Sequence, residues 1–494
     1  MVNLCVIAWS RRKQKYNSVI KIGGKQGDKL ILATEKIVES NLSLSRIKMK
    51  KPVIFSILLL LFFQAARAQE VITLEKALDS AMANNLQIKQ AQFQESLAEK
   101  DVLQSKMDLY PSANAGSSAS WNWGTFFDQS TGRLITTSGN SVGASFSVSA
   151  PLFRGFQRLN QIAANKYLLL SDKSYTEKIK NDLQLAVVTT YMEALTNHDL
   201  LEASHQQLKL SREQLSVEQA NFDVGNRTLA DLSQAKSQVA TDELNVTSSG
   251  NAYELSILNL KQLMEMDPST DITLEKPELP EVGEIASVYD AGTVFSNAVR
   301  SFPEIRQAEY NRLAAEKNID IARGGYYPTL SLSGGLSTVY SSSNENLMTG
   351  KPFSLSKQFH DNFSQSLGIT LNIPIFNNLR TRIGVSKAKI SYQNALIAEQ
   401  QTKNELNKII NQAVLDLRAA EKQYRSSEQA FISMQEAFNV IKQRYEVGLA
   451  NSIELSTSQT NMNKAEFDLI TAKYNIIFRR KVIDFYLGKP INFN

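Results

Sequence analysis

The chain has 494 residues, 43% hydrophobic and 8% aromatic, with a formal net charge of +5. Its single cysteine, Cys5, excludes a disulfide framework and any cysteine-based zinc cluster. His198 and His205 lie seven apart on one helix and read as surface residues without a third ligand, so no metal and no cofactor is expected.

The first element is a leader, "MKKPVIFSILLLLFFQAARAQ", beginning at Met49. Met49, Lys50 and Lys51 are its basic start, residues 53–63 its apolar core, and Ala66-Arg67-Ala68 a small-x-small cleavage site. That is a secretory signal peptide over 49–68, too short to span a bilayer as a helix, which needs about 20 residues. Residues 1–48 then read as a non-native N-terminal extension. Subtracting the 13 basic and 3 acidic residues of positions 1–68 from 54 and 49 leaves 41 and 46. The mature chain is therefore acidic, and no nucleic-acid partner is expected. No cysteine follows the cleavage site to carry a lipid.

Beyond the cleavage site the chain is one unit written twice. "QIKQAQFQESLAEKDVLQSKMDLYPSANAGSSAS" at 87–120 matches "EIRQAEYNRLAAEKNIDIARGGYYPTLSLSGGLS" at 304–337, with Tyr110-Pro111 on Tyr327-Pro328 at an offset of 217. Further on Pro151 matches Pro374 and Gly225 matches Gly448, both at an offset of 223. The chain thus divides into repeat 1 over 69–282 and repeat 2 over 283–494.

In repeat 1, apolar residues at helical spacing predict a helix over 73–107. Tyr110-Pro111 ends it, because the residue before proline is pushed toward extended backbone. A β-hairpin over 113–152 comes after it. In its second half Val142, Ala144, Phe146, Val148, Ala150 and Leu152 alternate with Ser141, Gly143, Ser145, Ser147 and Ser149. One apolar and one small polar face over 10–12 residues suit a tilted strand between lipid and a wet lumen. Helices over 157–223 and 229–264 come next, then a linker with Pro268, Pro277 and Pro280 and a short strand at 272–274. Repeat 2 runs likewise: helix 291–322, hairpin 329–375, long helix 377–446, helix 453–485. Sixty-seven helical residues rise about 100 Å, roughly what the two shorter helices span end to end. Their narrow apolar stripes argue for side-by-side coiled-coil packing. The fold class is α+β membrane protein with a two-fold internal repeat and four transmembrane strands per chain. Four strands cannot close, so the chain must oligomerise to finish its barrel.

Each long helix stops at the same break, "NFDVGNRTLADL" at 221–232 and "RYEVGLANSIEL" at 444–455. Gly225 and Gly448 suit a left-handed helix stop. Thr228 with Asp231, and Asn451 with Glu454, suit the start of the next helix. Each break is a helical hairpin at the end remote from the strands.

Signal peptide, doubled hairpin-plus-coiled-coil repeat and two Val-Gly-x-x-[Thr/Asn]-x-x-[Asp/Glu] tips resemble the TolC family of outer-membrane efflux and export channels. The resemblance implies a homotrimer: one 12-stranded barrel in outer-membrane lipid, continued as a coiled-coil α-helical barrel across the periplasm. It implies a periplasmic adaptor (membrane fusion) protein and an inner-membrane pump of the RND, ABC or MFS type as partners. Val224, Gly225, Thr228, Asp231, Val447, Gly448, Asn451 and Glu454 would then meet the adaptor. The family's gate tyrosine matches Tyr445 and one of its acidic positions Glu454. The second acidic position falls on Thr457 and the base on Ala450, and Arg227 supplies a base only in the first copy. Tyr445, Glu454 and Arg227 are the gate candidates; three Glu454 side chains would bind cations at a constriction, or Glu454 caps its helix.

The expected function is a passive exit duct of a tripartite efflux or type I export system, driven by the partner pump. Nothing in the sequence supports catalysis: phosphate loop, nucleophile pair and metal cluster are all missing. The competing readings are a periplasmic coiled-coil tether without a pore and a cell-envelope hydrolase. Alternation in the strands opposes the first, and scattered Asp128, Glu345, His360 and Asp361 give the second no constellation.

Overall fold

The chain divides into two units, Met1–Gln69 and Glu70–Asn494. The computed structural model describes residues 70–128, 132–276, 289–346, 348 and 350–489. The signal peptide, the N-terminal extension and Pro277 and Pro280 of the linker lie outside the described residues.

The repeat begins with two helices where the spacing predicted one. α1 (Leu74–Asn84) and α2 (Leu86–Met107) meet at Asn85, whose backbone leaves the helical region while its side chain caps α2 through the Gln87 amide, 2.8 Å. In repeat 2, α5 (Ala291–Ser301) and α6 (Pro303–Arg323) part at Phe302. There proline both forces the preceding residue extended and starts the next helix. The spacing read straight across both kinks because each half buries its stripe in the same core.

The sheet is larger than expected in one hairpin and shorter in the other. β2 (Ser112–Asp128) pairs antiparallel with β3 (Arg133–Arg154), which starts eight residues before the alternating stretch 141–152. Thr125 and Thr136, whose hydroxyls meet at 2.8 Å, extend the ladder there. The second hairpin is not continuous. β5 (Thr329–Ser341) leads through the small pair β6 (Glu345–Asn346) and β7 (Lys351–Pro352) and a short helix, α7 (Leu355–Asp361), to β8 (Ser364–Asn372). α7 stands where β8 would have continued. The Gln358 amide accepts from Ser341 N–H at 3.0 Å and donates to Ser341 carbonyl at 2.9 Å, imitating a neighbouring strand.

The strand order is β2-β3-β5-β8. Register puts Phe146 opposite Leu336 and Leu332 opposite Ile369 on one face. On the other, Ser120 meets Ser141 and Ser337 meets Ser364, hydroxyl to hydroxyl, at 2.7 Å each. Among the described residues nothing covers the apolar face; Leu367, Ile369 and Leu371 are all exposed. Among them, too, both sheet edges, β2 and β8, are open.

α3 (Gln157–Asp223) and α8 (Arg380–Glu446) have 67 residues each, and α8 begins three residues later than the apolar pattern suggested. α4 (Leu229–Leu263) folds back along α3, and α9 (Ser452–Tyr486) along α8. Toward the sheet the packing order is α2-α3-α6-α8; α3 against α6 joins the two repeats. Toward the tips α9 lies against α3 and α4.

Midway along the long helices sits the main apolar core, including Val187, Val188, Tyr191, Leu406, Ile410, Leu417, Ile476 and Ile477. Burying such side chains contributes about 1.5–3 kcal/mol each. The linker is tied there: β1 (Glu70–Ile72) pairs parallel with β4 (Ile272–Leu274), and the Tyr191 hydroxyl lies 3.0 and 2.6 Å from the Ile72 and Glu275 carbonyls.

Candidate functional site

The two helical breaks have one geometry. Gly225 and Gly448 sit at φ of 81° and 80°, the left-handed region. Asn226 N–H reaches the Asn221 carbonyl at 2.8 Å and Gly225 N–H the Phe222 carbonyl at 2.9 Å. Leu449 to Arg444 and Gly448 to Tyr445 repeat these bonds at 2.7 and 3.1 Å. This is the Schellman pattern, which satisfies carbonyls that a helix end would leave orphaned. A Cβ at either glycine would meet nothing within 4 Å, so the constraint is backbone alone. Gly225→Ala and Gly448→Ala should each cost about 1–2 kcal/mol, read as a lower urea midpoint of the helical signal.

The next helix starts at once. Thr228 Oγ1 accepts from Asp231 N–H at 3.2 Å while the Asp231 carboxylate accepts from Thr228 N–H at 3.1 Å, a closed capping box. In repeat 2, Asn451 Oδ1 accepts from Glu454 N–H at 2.8 Å, and Asn451 Nδ2 donates to Glu454 at 3.0 Å. Val224 and Val447 stand 70% and 71% exposed at the apex of each turn.

Across the two hairpins the structure assembles a contact that neither repeat contains alone. Arg227 donates to the Tyr445 carbonyl at 3.0 Å, and its guanidinium lies 4.1 Å from the Tyr445 ring centroid. Its Nε is 3.6 Å from the Glu218 carboxylate, which is 3% exposed. Burial, and then the hydrogen bond to Glu218, pushes the Tyr445 hydroxyl far above its ordinary value, so it stays protonated and donates. Thus Arg227 and Tyr445 come together, while Glu454 stays on the exposed cap. Glu218 is the partner that motif reading missed. The signal was available: 223 residues on, the equivalent position is Ile441, and a charge facing an apolar residue in a faithful repeat marks a special role.

The Ser452 hydroxyl first, and the Thr228 hydroxyl next, hold the Asp231 carboxyl below its ordinary value of 3.8. A depressed carboxyl stabilises the fold above its unfolded value and loses that contribution as pH falls through the folded one. Amide exchange in the 222–235 segment should therefore stay slow from neutrality down to about pH 5 and rise only in stronger acid. Asp231→Asn should show raised exchange at neutral pH and little further change on acidification.

His198, Asp199 and Glu202 are the described residues whose ligand atoms lie close enough to hold a metal, within 4.8 Å of one another. Asp199, however, accepts from Lys276 at 2.8 Å and from the Tyr474 hydroxyl at 2.7 Å. Those contacts hold its carboxyl below the usual range against the opposing effect of burial, which is the largest single influence. The cluster fastens the linker to α3 and α9.

Known proteins share this fold. The cation efflux system protein CusC of Escherichia coli is 23% identical over 422 residues, 80% of this chain and 82% of the relative. A crystal structure of CusC matches with a TM-score of 0.71 at 18% identity, over 84% of this chain and 92% of that one. The outer membrane protein VceC of Vibrio cholerae matches with a TM-score of 0.69 at 17% identity, over 85% and 97%. The family model described as outer membrane efflux protein matches residues 77–264 and 294–489, one span in each repeat. With most of the chain covered, the protein belongs to the outer membrane efflux protein family.

Proposed function

We propose that the chain is one protomer of a homotrimeric exit duct that carries substrates passively across the periplasm and outer membrane. It lies in the outer membrane with its helices in the periplasm, and it works with a periplasmic adaptor and an inner-membrane pump that supplies the energy. The observation that carries this reading is the four-stranded sheet, apolar on one face, hydroxyl-lined on the other and open at both edges. Lipid tolerates no open edge, so the sheet must close on copies of itself. Eight strands give an interior that side chains fill or that holds one small ligand, so a duct needs a wider ring. The resemblance to the TolC family supplies the number of copies, three, and hence twelve strands. The exposed apolar outer face also opposes a pore-less tether.

The tips are the adaptor-docking ends. Val224, Gly225, Thr228 and Asp231 with Val447, Gly448, Asn451 and Glu454 present two like-shaped ridges per chain, six per ring. Tyr445, held by Arg227, gates the inner end, and Glu454 caps its helix while adding one carboxylate per chain near the aperture. The duct makes and breaks no bonds. The test is the mass of the mature protein in detergent together with its conductance in a planar bilayer. Three protomers and discrete conductance steps are expected; a monomer that is soluble without detergent would overturn the reading.

A further inference from the structure

Where α3, α4 and α9 pack together, well back from the tips, three buried oxygens meet without a donor. Gln207 Oε1, Asp242 Oδ2 and Asn463 Oδ1 have no hydrogen-bond partner among the described residues, and the three residues are only 4%, 1% and 7% exposed. Bonds on either side set their level. Ser204 with Ser249 at 3.0 Å and Arg212 with Glu243 at 2.7 Å lay Asp242 of α4 against the 207–211 turn of α3. Gln207 with Glu466 at 3.0 Å and Tyr474 with Asp199 at 2.7 Å lay Asn463 of α9 against the same turn. One turn rises about 5.4 Å, a span that these side chains bridge.

Asp242 is the residue that needs explaining. Among the described residues its carboxylate has one polar contact, Gln238 Nε2 on its own helix at 3.1 Å. The Asp199 carboxylate of the His198 group has Lys276 and Tyr474; Asp242 has no such cation. Burying a carboxylate without a counter-charge is costly. A water could donate to two of the oxygens, yet it would leave the charge where it is. Comparison of the repeats points the same way. At the 223-residue offset, Gln238, Ser456 and Glu466 keep polar counterparts in Asn461, Ser233 and Glu243, whereas Gln207, Asp242 and Asn463 all fall on alanine, at 430, 465 and 240. The three oxygens thus stand or fall as a set.

We propose that Asp242, Gln207 and Asn463 bind a calcium ion between α3, α4 and α9. One carboxylate and two amide carbonyls are the hard oxygen donors that calcium takes, with water completing its shell. Gln207 Nε2 is held by Glu466, which fixes the amide with its oxygen inward and brings a second negative charge close to the ion. The cavity one turn nearer the tip, lined in part by Ser211, Gln238 and Gln459, has a volume of about 20 Å³, room for a single water. Magnesium, which keeps several waters in a strict octahedron, suits so dry a place poorly. The ion ties both helices of the first hairpin to α9 of the second repeat. The site lies inside one chain, so its test is independent of the ring proposed above.

The test is calorimetric titration of the full mature protein, in detergent and stripped by chelator, with calcium chloride. One saturable calcium per chain is expected, with a dissociation constant below about 1 mM. Calcium should also slow amide exchange in 238–246 and 459–466. Asp242→Asn should abolish both effects. Asn463→Asp, which adds a carboxylate, should tighten binding about tenfold, because affinity follows the charge of the ligands; a merely structural asparagine would give no gain. This second variant keeps the proposal testable if Asp242→Asn fails to fold. No saturable binding up to about 10 mM calcium would overturn the site. Binding that Asp242→Asn leaves intact would mean an adventitious ion only and overturn it too. So would unchanged affinity in Asn463→Asp, or magnesium binding as tightly as calcium.

Discussion

Arg227→Ala should raise the single-channel conductance of the reconstituted protein several-fold without reducing its assembly. One side chain supplies three contacts: a hydrogen bond to the Tyr445 carbonyl, a guanidinium on the Tyr445 ring and the only cation close to buried Glu218 among the described ion pairs. Removing one partner of a buried ion pair costs about 3–5 kcal/mol, and the cation–ring contact adds roughly 0.5–2 kcal/mol. The Arg227 side chain is itself 21% exposed, which places the loss toward the lower end. Even about 3 kcal/mol would shift a closed-to-open equilibrium by roughly a hundredfold per tip. Arg227→Lys keeps the charge but loses the planar stacking and the fork of donors, so it should fall between the two. Tyr445→Phe should open the tip less, since it removes the hydroxyl bonded to Glu218 and leaves the ring under Arg227. An Arg227→Ala channel with parental conductance would show that this contact only braces the hairpin.

Ile369→Lys should remove the protein from the outer-membrane fraction and abolish the proposed trimer, read as its mass in detergent. Ile369 lies opposite Leu332, on the face that also carries Phe146 and Leu336, and near the middle of β8. A lysine on the lipid face at mid-membrane costs about 2–4 kcal/mol, and a ring pays that once per copy. Thr370→Lys, one residue along and on the hydroxyl face, should assemble normally and shift the reversal potential toward anions. Equal tolerance of both substitutions would mean that the faces are assigned wrongly. The pair is diagnostic because adjacent strand residues differ only in the side of the sheet they occupy.

Much of this architecture is periodic, and periodic features are local. Alternation in 141–152 names the two faces of β3, Gly225 and Gly448 end the long helices, and Thr228 and Asn451 start the next ones, all from residues a few positions apart. The repeat itself, and the need for partners that four open-edged strands impose, also come from pattern. The kink at Asn85, the strand extension through Thr136 and the insertion of α7 beside β5 are weaker in pattern. Each depends on what the neighbouring element offers: a shared core, a facing strand, an unpaired ladder that Gln358 completes.

The family resemblance placed a base at position 450, where this chain has alanine, and left Arg227 assigned only to the first hairpin. The fold brings Arg227 to Tyr445 across 218 positions of sequence and puts Glu218 beneath both. No spacing rule predicts that meeting, because it depends on the rotation of α3 against α9 and on how far each hairpin projects. Chain order thus settles the long helices, the alternating strands and the tip turns, since backbone sterics and side-chain periodicity act over a few residues. Which polar groups are buried, and which charge lies against Tyr445, is settled only when the two repeats pack, because burial and pairing belong to surfaces that meet in space.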